Sequence, residues 1–193
     1  MDCILMKEYF NALPEHVALD IRDRFLTGSF DRVYQDRDSQ FKRQFNEKLK
    51  TLPDNDEVYT SFFCNSGKFL TSSAEINHVC NNMIKPLVEA YAGKSLTINE
   101  KKCYKMTAGG HFRLHVDEFL GNYSFIWYLS KNWKWDWGGL LLTVIDDHNA
   151  NVTIPTFNKL VVFENTDSQS IHSVTHVTEY AKEPRLMLVG FLS

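Results

Sequence analysis

His115 and Asp117 in the run HFRLHVDEF, and His172 in SQSIHSVTHV, are two imidazoles and a carboxylate of the kind that hold a divalent metal; Arg185, in EPRLMLVGF, adds a cation after them. Side chains two apart on a β-strand share a face. His115 and Asp117 can therefore grip one ion from one strand while a later strand brings His172 opposite. Two histidines and one carboxylate on one side of a metal leave positions free for a bidentate ligand and for dioxygen, a donor set that suits non-haem Fe(II). Arg185 comes 13 residues after His172, enough to leave one strand, turn and return on the next. A guanidinium there can take a carboxylate in fork geometry at the inner end of a pocket.

The His-x-Asp step is weak taken alone. Seven histidines in a chain of this acidity give roughly one such pair by chance. Its force comes from its surroundings: Gly109-Gly110 before it, Trp137-Gly138-Gly139 after it, then a histidine and an arginine in order near the end.

The elements that must position these residues are mostly strands. From Ser95 onward β-forming runs recur about every ten residues: SLTINEKKCYKM, HFRLHVD, YSFIWYLS, GLLLTVI, NVTIP, KLVVF, HSVTHV and RLMLVGFL. Gly109-Gly110, Gly138-Gly139, Asp146 to Asn149 and Asn165 to Asp167 supply turns between them. Eight short strands without intervening helices predict a mainly β fold with flanking α-helices, a double-stranded β-helix or jelly roll. Before Ser95 the pattern is mixed. Leu5 to Leu26 carries apolar residues at helical spacing, with Pro14 near the start of a second helix. Asp31 to Leu52 reads as a solvated helix or a long loop, and Val58 to Cys64 as a strand. Ser73 to Tyr91 reads as a Ser-capped amphipathic helix interrupted or kinked at Pro86, with His78 on it as an ordinary histidine. The expectation is one domain over 1–193, with helical support over about 1–94 and a catalytic jelly-roll core over about 95–193.

Composition narrows the function classes. The chain has 193 residues, 44% of them hydrophobic, enough for a core of its own. Its formal charge of −3 offers no basic field for a phosphate backbone, so nucleic acid is not expected as a partner. There is no apolar run of membrane-spanning length and no signal-peptide pattern at the start. Cys3, Cys64, Cys80 and Cys103 show no metal or disulfide spacing and read as free thiols. A cytoplasmic protein is expected; its oligomeric state is not indicated.

From Tyr104 to Phe191 the chain resembles the catalytic core of the 2-oxoglutarate- and Fe(II)-dependent dioxygenases, prolyl-4-hydroxylase type. The resemblance is carried by Tyr104, Gly109-Gly110, His115-Val116-Asp117, Tyr128-Leu129-Ser130, Trp137-Gly138-Gly139-Leu140, Pro155 through Phe163, His172 through Val177, and Arg185. It implies Fe(II) on His115, Asp117 and His172, the distal carboxylate of 2-oxoglutarate on Arg185, and hydrogen bonds to that co-substrate from Tyr104 and Tyr128. It implies dioxygen as oxidant, ascorbate as a candidate reductant, and hydroxylation of an aliphatic C–H bond with release of succinate and carbon dioxide. The first substrate expectation is a prolyl residue of a peptide or protein; a free amino acid or biosynthetic intermediate is the alternative. Met187 stands where some relatives carry Ser or Thr, which makes Tyr128 the first choice for a second bond to the distal carboxylate. Asp117 is kept where halogenating relatives have a small residue, which favours hydroxylation or desaturation.

Other residues near the motifs are candidate substrate contacts. Trp133 and Trp135 lie in a connection between strands, where exposed aromatics often serve binding. Arg113 alternates onto the ligand face, His176 lies four residues beyond His172 on what reads as one strand, and His111 could line the mouth of a pocket. Two other classes compete: a jelly-roll protein that keeps a metal for sensing or interaction without turnover, and a cupin-like metal isomerase or hydrolase, which has no need of Arg185 in this register.

Overall fold

The computed structural model describes residues 6–35, 62–117, 119–165 and 170–193. Strand β1 (Met6–Tyr9) leads to helix α1 (Glu15–Thr27), β2 (Asp31–Gln35), β3 (Phe62–Ser66), and helices α2 (Lys68–Thr71) and α3 (Ala74–Val79). A π-helical turn (Cys80–Ile84) joins α3 to α4 (Lys85–Ala92). Eight strands follow: β4 (Ile98–Met106), β5 (His111–His115), β6 (Tyr123–Tyr128), β7 (Leu141–Val144), β8 (Ala150–Thr153), β9 (Leu160–Glu164), β10 (His172–Val174) and β11 (Arg185–Leu192). All eight runs after Ser95 form strands.

The N-terminal half departs from its periodicity in one place. Met6 to Tyr9 is a strand, not a helix, because β9 offers it a partner from Met6–Phe163 to Tyr9–Leu160. Pro14 does precede a helix, and its carbonyl accepts the N–H groups of Val17 and Ala18. The Ser73 hydroxyl caps α3 by accepting the Ile76 N–H at 3.3 Å. The interruption expected at Pro86 takes the form of the π turn, which ends at Ile84. Proline lacks the N–H that would reach back to Asn82, and the wider turn absorbs that loss before α4 begins. Of the reading over Asp31 to Leu52, residues 31–35 are strand and the rest lies outside the described residues. The strand read from Val58 begins, within the described residues, at Phe62.

The strands run in the order β1-β9-β6-β11-β4-β3-β5-β10-β7-β8, with β2 on β3. The pairings are antiparallel, and β3 is the hinge between two halves: Asn65 and Ser66 pair with β4, Phe62 and Phe63 with β5. The sheet so folded is a jelly roll. Alternation along the strands divides the apolar residues between two cores. Phe125, Trp127, Leu129, Leu186 and Leu188 face the helices and pack with Ile21, Phe25, Ile76, Ile84 and Val88. Ile126, Tyr128, Val161, Phe163, Met187, Val189 and Phe191 face inward toward Leu141, Val174 and Met106. Of the inward set, Ile126, Leu141, Phe163, Val174, Met187, Val189 and Phe191 wall the space into which the candidate ligands project. Among the described residues, no helix is long and apolar enough to cross a membrane.

Candidate metal centre

Strands β5 and β10 place the two histidines directly opposite each other, with His172 paired to His115. Asp117 follows two residues beyond His115 and is buried, as are both imidazoles. His172 Nε2 lies 3.3 Å from Asp117 Oδ2 and His115 Nε2 3.7 Å from Asp117 Oδ1. One ligand atom from each residue lies within 4.8 Å of the others, the size of a single-ion site. Both rings are held from behind. His115 Nδ1 lies 2.5 Å from the Arg113 carbonyl and His172 Nδ1 2.7 Å from the Ser170 carbonyl. A carbonyl only accepts, so each Nδ1 carries the proton, and each Nε2 turns toward the shared centre.

The electrostatics of the three groups are coupled. Burial pushes His115 down to about 4, helped by the neighbouring His172. For His172 burial also acts downward, but the hydrogen bond and charge of Asp117 outweigh it and the net direction is up. Burial pushes Asp117 up, yet the two histidines bring it below the ordinary carboxylate range. Hard oxygen and borderline nitrogen donors in this ratio fit Fe(II).

Arg185 opens β11 on the inward face and is completely buried. Its Nε donates to the Gly139 carbonyl at 2.7 Å, and Nη1 points at the sulfurs of Met106 and Met187. Nη2 has no hydrogen-bond partner, and neither has the buried hydroxyl of Tyr128, whose ring centre lies 5.0 Å from the guanidinium carbon. A buried cation with a free N–H beside an unpartnered phenol is costly unless an anion joins them, and a carboxylate has the right valence for both. The donor set at this end fits the distal carboxylate of a dicarboxylic acid.

Between triad and sheet lies a cavity of about 300 Å³ lined by His115, Asp117, His172, Tyr104 and mostly apolar neighbours, Met187 among them. Arg185 and Tyr128 stand behind Met187 instead of on the wall. Residues 100–193 match the family model of the 2OG-Fe(II) oxygenase superfamily. Over that stretch the chain resembles that superfamily. No curated protein sequence matches it. Its fold is shared with a prolyl-4-hydroxylase of Pseudomonas putida, at 15% identity and TM-score 0.63 over 97% of this chain and 91% of that one. A prolyl hydroxylase of Trichoplax adhaerens, solved with a hypoxia inducible factor oxygen degradation domain peptide fragment, aligns at 16% identity and TM-score 0.65, over 97% and 82%. The non-haem alpha-ketoglutarate-dependent epimerase SnoN from nogalamycin biosynthesis aligns at 12% and 0.64, over 98% and 78%. The protein is thus an Fe(II)- and 2-oxoglutarate-dependent oxygenase.

The other residues singled out in this oxygenase fall into two groups. Tyr104 lines the cavity, its ring edge-on to Phe112 at 5.5 Å, and burial pushes its phenol well up. Arg113, Trp133, Trp135 and His176 are not on the cavity wall. Between His172–His115 and Val174–Phe112 the β5–β10 ladder gains a residue on β5, and this bulge presents Phe112, not Arg113, to the cavity. His176 lies beyond the end of β10, exposed, with its ring stacked on His111 at 4.0 Å. Trp133 is a buried brace: its Nε1 donates to the Gly138 carbonyl at 2.9 Å and its ring meets Trp137 edge-on at 5.3 Å. Trp135 is exposed. Unforeseen wall residues are Glu100, Lys102, Phe112 and Phe119. The first two were accessible by parity, since Tyr104 on one strand puts 102 and 100 on its own face.

Proposed function

We propose that this oxygenase hydroxylates an aliphatic C–H bond, with His115, Asp117 and His172 as the Fe(II) ligands and Arg185 with Tyr128 as the anchor for the distal carboxylate of 2-oxoglutarate. The first substrate reading is a prolyl residue of a peptide or protein; the second is a free amino acid. The observation that carries the proposal is the pairing of a buried two-histidine, one-carboxylate cluster with a buried guanidinium and phenol that each keep a polar atom unpartnered.

Each part has a task set by its surroundings. The carbonyls of Arg113 and Ser170 hold the imidazoles with Nε2 inward. On metal binding the proton that His172 Nε2 shares with Asp117 must leave, so that both groups act as donors of electron pairs. Arg185 and Tyr128 would hold the distal carboxylate of the co-substrate through the guanidinium Nη2 and the phenol hydroxyl. Tyr104 offers a phenol that burial keeps protonated, a hydrogen-bond donor to ligand oxygen. Phe112, Phe163 and Leu141 exclude water. Bound iron would supply the redox chemistry by which dioxygen gives one oxygen atom to the oxidative decarboxylation of 2-oxoglutarate and the other to hydroxylation of the substrate. Succinate and carbon dioxide leave as co-products.

A reducing cytoplasm suits the described cysteines. Cys64, Cys80 and Cys103 are buried free thiols, and burial pushes each up to about 12. Cys3 lies outside the described residues.

The test is succinate formation from 2-oxoglutarate by anaerobically Fe(II)-loaded protein on exposure to air, with prolyl peptides and free amino acids offered separately. Turnover in the native protein that is lost in Asp117→Ala and Arg185→Ala is expected. Iron binding without turnover on any substrate would sink the proposal and leave a metal-holding sensor.

A further inference from the structure

Among the described residues, the ionisable groups on the cavity wall apart from the triad and Tyr104 are Glu100 and Lys102. They sit at same-face positions of β4, with Tyr104 next in line, and Lys102 Nζ lies 3.2 Å from Glu100 Oε2. Most charged pairs on an exposed strand face water and do little. This pair differs in its neighbours: Phe119, Leu120, Ile126, Phe163 and Phe191 make the adjoining wall, and the ammonium of Lys102 lies 5.9 Å from the centre of the Phe191 ring. One positive and one negative group are thus presented side by side on an apolar surface that leads to the metal ligands. Antiparallel pairing also fixes their depth. Arg185 is opposite Met106, Met187 opposite Tyr104, Val189 opposite Lys102 and Phe191 opposite Glu100. The pair is therefore separated from the Arg185 end by two pleats, away from the place of the co-substrate's distal carboxylate.

We infer that Glu100 and Lys102 form the recognition site for the main-chain charges of a free α-amino acid substrate, Lys102 receiving its carboxylate and Glu100 its ammonium. The covalent frame of an α-amino acid holds those two groups within about 3 Å of each other, so they can lie head to tail against an ion pair of similar span. The side chain or ring then points along the apolar wall toward the triad. A residue inside a peptide has neither charge, and an N-acylated, amidated amino acid removes both without altering the ring. The cavity, about 300 Å³, is at the small end of ligand sites, which suits such a substrate beside 2-oxoglutarate. This inference rests on the oxygenase reading above and selects its free amino acid branch.

The experiment is calorimetric binding under anaerobic conditions to the full chain loaded with Fe(II) and 2-oxoglutarate, using L-proline and N-acetyl-L-prolinamide as probes. Native protein should bind L-proline at least about tenfold more tightly than the neutral probe, in the range that partly exposed charged contacts supply. Lys102→Met and Glu100→Gln should each erase that preference while leaving the weak binding of the neutral probe unchanged. Equal binding of both probes by the native protein, or a loss in the variants that is the same for both probes, would overturn the inference. Substrate-independent succinate release is measured on the same samples after air is admitted. Its absence in the native protein indicts the oxygenase reading, whereas release in native and variant proteins without probe discrimination indicts only the role given to Glu100 and Lys102.

Discussion

Gly139 supports Arg185 in two ways at once: its carbonyl accepts the Arg185 Nε–H at 2.7 Å, and its missing side chain leaves the space in which the Arg185 stem runs. A Cβ on Gly139 would lie 2.8 Å from Arg185 Cδ, and the backbone there has φ +62. Gly139→Ala therefore meets both a left-handed conformation, worth about 1–2 kcal/mol, and a displaced guanidinium. The expected result is a lower denaturation midpoint together with a raised KM for 2-oxoglutarate. A fall in stability with KM unchanged would show that Arg185 does not serve the co-substrate.

Arg185 is screened from the cavity by the side chain of Met187, whose sulfur meets its Nη1. A carboxylate reaching the guanidinium must displace that thioether. Arg185→Lys keeps the charge but loses the fork and the Nε bond to Gly139, and a charge-assisted bond is worth about 1.5–3 kcal/mol, so KM for 2-oxoglutarate should rise by roughly 10- to 100-fold. Met187→Ala, which clears the approach, should lower it. Steady-state succinate assays at varied 2-oxoglutarate distinguish the two directions.

What could be read from the chain depended on whether a local pattern decided the outcome. The eight strands after Ser95 were legible because alternation and turn residues agree along each run, and His115, Asp117 and His172 converge because strand parity is local. Met6 to Tyr9 misled because an apolar spacing compatible with a helix is overridden by a β9 edge more than a hundred residues away. Arg113 misled for a related reason: the bulge that rotates it off the cavity belongs to the β5–β10 pairing, and no residue of β5 alone announces it. The connection carrying Trp133 looked like an exposed binding loop, yet the indole is needed to hold the Gly138 carbonyl beside the Arg185 cradle.

Asn158 ties the N-terminal segment to the sheet. Its Oδ1 accepts the Leu13 N–H at 3.2 Å and the Trp127 indole N–H at 3.1 Å, while Nδ2 donates to the Leu13 carbonyl at 2.7 Å. Its backbone has φ 57, which asparagine tolerates better than most residues. Asn158→Ala strands buried donors and an acceptor and adds strain at positive φ, a cost of about 3 kcal/mol. At this chain length that corresponds to a drop in Tm of about 6–12 °C. Asn158→Gly removes the strain but not the lost bonds, so it should recover only part of the drop.

Glu89 supplies a pH-dependent contribution at the end of α4. Its Oε1 accepts the Leu96 N–H at 2.9 Å and the Ser95 hydroxyl at 3.1 Å, with Lys85 Nζ at 3.4 Å, and these hold its carboxyl below the usual range, the Leu96 bond being the largest cause. A depressed carboxyl pKa means that the unfolded chain binds the proton more readily than the folded one. The contribution is then complete above the unfolded value of about 4.3 and disappears as the pH falls through the lower folded value. Glu89→Gln keeps the shape and an acceptor oxygen but cannot ionise. Urea midpoints of the two proteins should therefore differ at neutral pH, with Glu89 the more stable, and the difference should shrink steadily below about pH 4. A gap that persists unchanged into acid would mean that shape and neutral hydrogen bonding, not the carboxylate charge, join α4 to the strand that follows it.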